Sequence, residues 1–491
     1  MAVKPHQRLM GTSSDERAAA LTWLGAVRHG DGPHPCCSYA VPAMFLSGVI
    51  EGFYGPPWSE AERATLFEQM AAWGLDTYLY CPKDDLHHRA LWREPYGEAG
   101  ATVMAGLVTA CQAHGLRFIY GIGPGLDIRY GDPADRQHLR RWCAQMLDMG
   151  CDGLALLFDD VPDRIEPADL ARWGSLAGAQ ADVANDVVRW ARTRRPDLLV
   201  AFCPTPYCGR MVAAGHGGSG YLEALGASLD SSIEIFWTGP EIVSGAVSVA
   251  HVRDVAARLR RKPILWDNLH ANDYDGRRIL LGPYSGRPVA LRDEVRGILT
   301  NPNTEFPLNQ MAVRTLAMYL QADGDWDERK AYLHALREWH PAFTTVTGTV
   351  DFDDLVLLAD CYYLPYREGP EAEDLLARAH LALRDTSPAW RDHAHAFLER
   401  ATRLRDLCGR LATLRHRPLF HALSRRVWDL REELDLVVRG VQARLATEDG
   451  HVSFSSDFHQ PRTYRGGTVA RLQTLLTLRA DGTFTPSGDP S

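Results

Sequence analysis

The sequence has 491 residues, of which 45% are hydrophobic and 23% are charged, so it can bury a substantial core over two or three domains. Its net charge of −9 argues against general binding to nucleic acids or membranes, because both recruit partners through a basic electrostatic field. The ten cysteines lack the paired short spacings of a zinc site. Without a long apolar run or a signal-peptide pattern, the sequence predicts a cytoplasmic protein with reduced thiols.

The first part of the chain changes character near residue 44. Residues 1–43 mix Pro, Gly and His, and we expect a poorly ordered leader there. Short β-branched or aromatic runs then recur eight times, each ending in polar residues or in Gly and Pro. The runs are FLSGVIEGFYG, DTYLYCPKDD, RFIYGIGPG, GLALLFDD, LLVAFCPT, IEIFWTGP, KPILWDN and RGILTNPN.

Helical patterns separate these runs. A capping box at Ser59 and Glu62 precedes apolar residues at helical spacing, and further helices are expected over residues 101–114, 133–149 and 167–192. Eight strands alternating with helices are typical of a (β/α)₈ barrel, an α/β fold that we assign to residues 44–325. A doubly wound open sheet is the alternative, but it rarely uses eight evenly spaced units and usually shows a Gly-rich first turn.

After residue 325 the strand pattern stops, and we assign residues 326–449 to an all-α helical bundle. Apolar residues recur at spacings of three and four from Phe397 to Leu411 and from Val427 to Val441. This pattern predicts two long helices whose apolar stripes form an intramolecular core or a partner surface. Residues 450–491 are rich in Ser, Gly and Thr, and we expect a mostly flexible tail apart from an apolar piece at 469–478.

The active site of such a barrel forms at the carboxyl ends of the strands, and the residues that end the predicted strands are unusually polar. The predicted strands end in Glu51-Gly52-Phe53-Tyr54-Gly55, Lys83-Asp84-Asp85, Asp159-Asp160, Thr205-Pro206-Tyr207, Trp266-Asp267-Asn268 with the continuation to Asp275, and Asn301-Pro302-Asn303. Amide, carboxylate and amino groups form directional hydrogen bonds with sugar hydroxyls, and a sugar ring stacks on Trp or Tyr. The strand ends therefore predict a carbohydrate site.

Asp159 and Asp160 are adjacent in LLFDDVP. Two carboxylates in a partly dry pocket repel, so one of them tends to hold a proton, which suits protonation of a glycosidic oxygen. The carboxylates of ordinary glycosidases lie about 5–9.5 Å apart on opposite faces of the sugar, which neighbouring residues cannot easily achieve. If the sugar carries a 2-acetamido group, its carbonyl oxygen can attack C1 while one Asp orients the amide and the other serves as acid and base.

Each of these residues also has a plainer interpretation. The Asp159-Asp160 pair can simply cap a helix, Lys83 can form a structural ion pair with the aspartates that follow it, and Trp266 can belong to the barrel core. The segment HANDYD offers possible metal ligands, but no matching ligand spacing recurs at the other strand ends, and we predict neither a metal nor a cofactor. The shared location of these residues at strand ends favours a site.

Eight motifs follow one another in the order EGFYGPPW, YLYCPKDDLHHRALWRE, IYGIGPGLDI, LLFDDV, FCPTPYCG, WTGP, WDNLHANDYD and LTNPN. They closely resemble the family 84 glycoside hydrolases, the protein O-GlcNAcases and related β-N-acetylglucosaminidases. The later segment DLVLLADCYYLPYREGP resembles the helical stalk domain that follows the barrel in animal O-GlcNAcases. The resemblance covers roughly residues 45–450.

The resemblance implies retaining, metal-free, substrate-assisted removal of terminal β-linked N-acetylglucosamine through an oxazoline intermediate. It implies that Asp159 orients the acetamido group and that Asp160 is the general acid and base. The residues it implies for contacts to the sugar hydroxyls or the acetamide are Gly52, Lys83, Asn268, Asp273 and Asn301, and those for the acetamido pocket are Tyr207 and Trp266. It also implies a homodimer through the stalk and N-acetylglucosamine-bearing proteins or glycans as substrates.

Other functions stay open at this point. A hexosaminidase that trims cell-wall or matrix glycans would use the same pocket, because the pocket motifs specify the sugar and not the group attached to it. A non-catalytic glycan-binding protein would keep the polar rim but could dispense with the acid. An interaction scaffold built on the helical region would make the barrel incidental.

Overall fold

Eight parallel strands close into a barrel in which each strand pairs with its neighbours along the chain and the eighth pairs with the first. The computed structural model describes residues 45–447, 452–456 and 466–488, and the expected leader over residues 1–43 lies outside them. The strands are β1 (Leu46–Glu51), β2 (Thr77–Tyr80), β3 (Arg117–Ile122), β4 (Gly153–Leu157), β5 (Leu199–Cys203), β6 (Glu234–Trp237), β7 (Ile264–Asp267) and β8 (Gly297–Thr300). The predicted (β/α)₈ fold is confirmed.

Helices follow the strands along the chain. They are α1 (Glu60–Ala72), α2 (Glu98–Ala113), α3 (Pro133–Asp148), α4 (Pro167–Trp173), α5 (Leu176–Arg194), α6 (Gly209–Ala213), α7 (Tyr221–Ser228), α8 (Val249–Leu259) and α9 (Gln310–Gln321). The predicted capping box is present at the start of α1. Between β7 and β8 the described chain has a 3₁₀ helix, Val289–Glu294, in place of an α-helix.

One predicted helix differs from the structure. The single helix expected over residues 167–192 is divided into α4 and α5. Gly174 adopts the left-handed conformation with φ of 74° and ends α4, and the side chain of Ser175 then accepts a hydrogen bond from Gly178 N and caps α5. A glycine followed by a capping serine is a typical stop and restart signal, which the apolar pattern alone does not reveal.

The inside of the barrel is apolar at the level of the strands. Ile50, Leu79, Ile119, Ala155 and Ile264 are fully buried in one cluster that fills it. Strands that are buried on both faces have nearly continuous apolar sequences, which is why the runs rather than an alternating pattern marked them. The candidate site residues lie at or beyond the carboxyl ends of the strands, so the site rests on this apolar cluster.

The helical region that was predicted after the barrel is present. It comprises α10 (Glu328–Trp339), α11 (Phe352–Asp360), α12 (Pro370–Arg384), α13 (Trp390–Arg410) and α14 (Arg417–Leu445), with two short paired strands, β9 (Thr344–Thr345) and β10 (Gly348–Thr349). The helices α13 and α14 are the two long helices expected from the apolar spacing. One buried cluster joins Leu404 and Leu430 of these helices to Ile298 of β8, so the bundle packs directly on the barrel.

The described part of the C-terminal segment has more regular structure than the sequence led us to expect. It contains β11 (Phe454–Ser455), α15 (Gly467–Gln473), β12 (Leu476–Leu478) and β13 (Thr483–Pro486), with the three strands paired antiparallel around β13. Leu472 and Phe484 are buried in the same apolar cluster as the helical bundle. Burial of a few apolar residues therefore orders a segment whose composition is typical of a flexible tail.

Candidate active site

A pocket lies at the carboxyl ends of the barrel strands. All nine candidate residues named from the sequence line it: Gly52, Lys83, Asp159, Asp160, Tyr207, Trp266, Asn268, Asp273 and Asn301. Four further lining residues were missed, namely Tyr54, Cys203, Thr238 and Tyr274. Each of these four stands in one of the strand-end runs or motifs, so its position at or beyond the end of a strand was the signal that could have identified it.

Asp159 follows β4 and is a buried residue of the pocket lining. Lys83 Nζ donates a hydrogen bond of 2.7 Å to Asp159 Oδ2, so the ion pair of Lys83 is made with Asp159 and not with the aspartates that follow it in sequence. Burial on its own would raise the pKa of Asp159, but the charge and hydrogen bond of Lys83, together with Arg89 and His88, hold that pKa below its usual value. Asp159 is therefore ionised at neutral pH.

The second carboxylate oxygen of Asp159 is free to bind a ligand. Asp159 Oδ1 is buried and has no hydrogen-bond partner among the described residues. A buried acceptor that stays unpaired costs about 1–3 kcal/mol, which a bound group with an N–H or O–H can recover. The site thus presents an ionised carboxylate with one oxygen held by a cation and the other directed at a ligand.

Asp160 has a different environment. It is exposed, and its φ of 49° places it in the left-handed region, which is uncommon for a residue other than glycine. Tyr207 Oη donates to Asp160 Oδ1 at 2.8 Å, and Tyr54 Oη donates to Asp160 Oδ2 at 3.2 Å. The pair does not cap a helix, because α4 begins only at Pro167 and its N-cap residue is Glu166.

The two tyrosines remain hydrogen-bond donors at neutral pH. Burial, together with the negative charge of Asp160, raises the pKa of Tyr54 above its usual value. The same two causes raise the pKa of Tyr207 further. Both hydroxyls are therefore protonated, and they fix the two oxygens of the Asp160 carboxylate in place.

Hydrogen bonds among Trp266, Asn268 and Asn301 fix another part of the pocket lining. Trp266 Nε1 donates to Asn268 Oδ1 at 3.1 Å, and Asn301 Nδ2 donates to the same oxygen at 3.0 Å. Asn268 Nδ2 donates to the main-chain oxygen of Ile242 at 2.9 Å, which sets the orientation of the amide. Asn301 Oδ1 is buried without a partner in the described chain, so it is available to a hydroxyl or an amide N–H.

Asp273 adds a third carboxylate to the rim. Its Oδ2 accepts a hydrogen bond of 2.9 Å from the main-chain N–H of Tyr54, whereas its buried Oδ1 has no partner in the described residues. Burial raises the pKa of Asp273 above its usual value. A carboxylate with one free oxygen at the edge of a pocket is suited to accept hydrogen bonds from sugar hydroxyls.

Gly52 is required by close packing. A Cβ atom at this position would lie 2.8 Å from Trp266 Cζ2 and 2.8 Å from Ile50 Cγ2, which is closer than van der Waals contact allows. The indole ring of Trp266 therefore lies directly against the end of β1. Trp266 is almost fully buried, so it packs in the barrel and lines the pocket at the same time.

The HANDYD segment has structural contacts at the positions that could have bound a metal. His270 is buried with its Nε2 hydrogen-bonded to the main-chain oxygen of Gly282 at 2.8 Å, and burial lowers its pKa to about 4. Asn272 donates to Glu305 at 2.8 Å. Within the described ranges, no group of three or more His, Cys, Asp and Glu side chains could hold a metal ion. Among the same residues, no helix has the length and apolar character needed to cross a membrane.

A closed barrel with a polar pocket at its carboxyl end and two differently held carboxylates is an arrangement found in glycoside hydrolases. A sequence model of the family described as beta-N-acetylglucosaminidase matches residues 47–356. Because the match covers more than half of the chain, this chain belongs to the β-N-acetylglucosaminidase family. The resemblance that the motifs carry is thereby confirmed.

Similar sequences and a similar solved structure agree with this family assignment. The chain is 42% identical over 279 residues to the Protein O-GlcNAcase of Rattus norvegicus and to that of Mus musculus. These matches cover 57% of this chain and only 30% of either relative. The solved structure of a variant of the Thermobaculum terrenum O-GlcNAc hydrolase superposes with a TM-score of 0.73 at 27% identity, over 82% of this chain and 86% of that one.

Proposed function

We propose that this protein removes terminal β-linked N-acetylglucosamine from Ser or Thr of proteins or from other glycoconjugates, by a retaining mechanism in which the substrate supplies the nucleophile. One observation carries the proposal: adjacent carboxylates are held in opposite ways. Asp159 is buried, ionised and paired with Lys83, whereas Asp160 is exposed between two tyrosine hydroxyls. Two carboxylates with different environments suit two different roles in one reaction.

In the first step Asp159 acts on the 2-acetamido group of the sugar. Its unpaired Oδ1 accepts the amide N–H, which increases the negative charge on the acetamido oxygen. That oxygen attacks C1 and forms an oxazoline ring, while the bond from C1 to the glycosidic oxygen breaks. Asp160 gives its proton to the departing oxygen, and the ionised Asp159 stabilises the positive charge that develops on the ring.

In the second step Asp160 acts as the base. It accepts a proton from a water molecule whose oxygen attacks C1 on the face that the leaving group has vacated. The bond from C1 to the acetamido oxygen breaks, so the acetamido group is restored and the configuration at C1 is retained. The hydroxyls of Tyr54 and Tyr207 stabilise the carboxylate form of Asp160 between the two steps.

The remaining pocket residues hold the sugar. We assign the contacts to the sugar hydroxyls and the acetamide to Gly52, Lys83, Asn268, Asp273 and Asn301, and the acetamido pocket to Tyr207 and Trp266. The unpaired buried oxygens of Asp273 and Asn301 support this assignment, because each can accept a hydrogen bond from the ligand.

The proposal also covers the natural substrate, the oligomeric state and the cellular location of the protein. The names of the relatives, Protein O-GlcNAcase and O-GlcNAc hydrolase, favour protein-bound N-acetylglucosamine as the substrate. We further propose that residues 326–449 form a stalk that pairs two copies of the chain, with the catalytic barrel over residues 44–325. The eight described cysteines are buried free thiols, which supports a cytoplasmic location.

The mechanism is tested with aryl glycosides. Aryl N-acetyl-β-glucosaminides should be hydrolysed rapidly, and the matching β-glucosides hardly at all, because the glucosides lack the internal nucleophile. Equal rates on the two series would contradict the mechanism. Asp160→Ala should slow substrates with poor leaving groups far more than those with good ones, since an activated leaving group needs no proton. If Asp159→Ala shows that dependence instead, the two roles are reversed.

The natural substrate is tested separately. Peptides that carry O-linked N-acetylglucosamine and chito-oligosaccharides present the same sugar on different groups. A higher kcat/KM on the glycopeptides is the expected result. Preference for the chito-oligosaccharides would instead identify a hexosaminidase that trims cell-wall or matrix fragments, with the same catalytic residues.

A further inference from the structure

Arg89 contacts Asp160 from outside the pocket lining. Arg89 Nη2 donates to the main-chain carbonyl oxygen of Asp160, and Nη1 donates to the hydroxyl of Tyr54 at 3.1 Å. That hydroxyl in turn donates to Asp160 Oδ2 at 3.2 Å. One guanidinium group thus holds the main chain of Asp160 directly and its carboxylate through Tyr54.

The backbone of Asp160 needs such support. Among the described residues other than glycine, only Asp160 and Arg260 have a positive φ. A residue with a Cβ atom in the left-handed region costs about 1–2 kcal/mol, and the conformation persists only when its neighbours enforce it. The hydrogen bond from Arg89 to the Asp160 carbonyl favours this conformation, and therefore favours the direction in which the carboxylate leaves the main chain.

Arg89 also determines where the proton of Tyr54 points. A tyrosine hydroxyl has a single hydrogen to donate. Because Arg89 donates to the Tyr54 oxygen, it occupies an acceptor position on that oxygen, and the hydrogen is left for Asp160 Oδ2. A planar guanidinium with several fixed N–H donors can serve the Tyr54 oxygen and the Asp160 carbonyl at once, which a lysine ammonium does less well.

The segment that carries Arg89 is itself held in place. Asp85 caps the short 3₁₀ helix Leu86–His88 by accepting a hydrogen bond from His87 N at 3.0 Å. The imidazole of the buried His88 bonds to the main-chain oxygen of Gly121 at 2.7 Å, and Gly123 N donates to His88 O at 2.7 Å. The main chain at Arg89 is therefore tied to the end of β3, and its side chain reaches Asp160 from a fixed origin.

We propose that Arg89 is a positioning residue for Asp160, which keeps the carboxyl group aligned with the glycosidic oxygen during proton transfer. This inference rests on the proposed function, since it concerns the acid of that reaction. Loss of Arg89 leaves the sugar contacts and the Asp159-Lys83 pair in place, so the attack of the acetamido oxygen continues. The part of the reaction that suffers is the protonation of the leaving group.

The test compares leaving groups. Arg89→Met should lower kcat/KM by about 10–100-fold for aryl N-acetyl-β-glucosaminides with poor leaving groups, because a misplaced acid loses much of its contribution. For good leaving groups the loss should stay below about 3-fold, since they need no proton. The loss should appear in kcat rather than KM. Arg89→Lys should fall between the wild type and Arg89→Met.

A matched control is Arg253→Met, which removes an exposed arginine that pairs with Glu294 away from the pocket. It should leave both rates unchanged. Free guanidinium at millimolar concentration should restore part of the activity of Arg89→Ala on poor leaving groups, because Arg89 is only half-buried and its place is accessible. Sodium chloride at the same ionic strength should not.

The outcomes separate this inference from the proposed function. A loss for Arg89→Met that is equal on good and poor leaving groups would overturn the positioning role, because general damage to the fold slows both alike. Absence of rescue by guanidinium would also count against it. A wild-type protein that hydrolyses neither substrate would contradict the proposed function itself, and the inference with it.

Discussion

Two strands of the barrel, β4 and β7, end in a buried aspartate paired with a buried cation, yet the two ends differ in what remains unpaired. Asp267 lies 2.7 Å from Arg287, and neither side chain has any exposed area. Asp159 lies at the same distance from Lys83, and both are nearly as buried. Burial and ion pairing therefore do not distinguish a structural carboxylate from a candidate catalytic one.

The difference lies in the number of donors. Arg287 donates to Asp267 through Nε at 2.8 Å and Nη2 at 2.7 Å, while the Tyr284 hydroxyl and Leu269 N donate at 2.7 and 3.1 Å. Both oxygens of Asp267 are thus satisfied by the protein. The single donor from Lys83 leaves one oxygen of Asp159 for a ligand. A planar guanidinium can donate hydrogen bonds to both oxygens of a carboxylate, whereas the single bond from an ammonium leaves the other oxygen without a donor.

The largest effect on stability is expected at the pair of Asp267 and Arg287. Arg287→Met should lower the free energy of unfolding by about 3–5 kcal/mol, because it leaves the Asp267 carboxylate buried without its counter-charge. Denaturant unfolding followed by circular dichroism measures this change. The comparison fails if Asp159→Asn, which keeps an acceptor for Lys83, destabilises the protein by as much.

The open pair should instead control activity. Asp159→Asn should reduce kcat/KM on aryl N-acetyl-β-glucosaminides by about 100–1,000-fold, or about 2.7–4 kcal/mol, because the developing positive charge loses its counter-charge. Steady-state rates corrected for the folded fraction measure it. Asp267→Asn is the matched control and should retain most of the activity per folded molecule. A similar loss in both variants would remove the distinction between the two strand ends.

Gly52, at the end of β1, is an uncharged position that can be compared with the two aspartates. Gly52→Ala at the end of β1 should push the Trp266 indole away from the barrel axis, since its Cβ would meet Cζ2 at 2.8 Å. Overpacking of this kind costs about 1–3 kcal/mol, and KM should rise because Trp266 lines the pocket. Gly106→Ala on α2, where an added Cβ meets no atom within 4 Å, should stabilise the protein slightly. Unchanged KM in Gly52→Ala would contradict the packing constraint.

The smallest effect concerns pH. The pKa of Asp159 is lowered in the folded state, because Lys83 with Arg89 and His88 outweighs burial. Its contribution to stability is therefore complete above the unfolded value of about 3.9 and is lost as pH falls through the folded value. The pKa of Lys83 is raised because Asp159 outweighs burial, so its contribution is lost only as pH rises above about 10.4. The difference in unfolding free energy between wild type and Asp159→Asn should be constant from pH 6 to 8. A change in this difference between pH 6 and 8 would contradict the ion pair of Asp159 and Lys83.

The position of the site could be predicted from the sequence because a parallel barrel places the carboxyl ends of all its strands at the same end. Lys83 and Asn301 are far apart in the chain, but each lies within three residues of the end of a strand, and parallel strands bring their carboxyl ends together. The polar residues after the strands could therefore be grouped without any knowledge of contacts. Tyr54 and Tyr274 were missed although they stand in the same motifs, because aromatic residues near a strand end are more often core residues than ligands.

The pairing within the site could not be predicted. Lys83 is followed by two aspartates in sequence, but its partner is Asp159, 76 residues away. Neighbours along the chain face different directions once a strand has ended, so proximity in sequence misleads. The left-handed conformation of Asp160 and its link to Arg89 likewise depend on contacts between distant loops, for which hydrophobic periodicity carries no information.

The short segment after β2 constrains how this protein can be engineered. It carries both Lys83 and Arg89, and it is anchored at each end: Lys83 N donates to Phe53 O at 3.2 Å, and Gly123 N donates to His88 O at 2.7 Å. An insertion or deletion of one residue between the anchors would change the spacing of the two cations and displace at least one of them. Libraries that aim at new substrates should therefore vary the composition of loops elsewhere on the rim and keep the length of this segment constant.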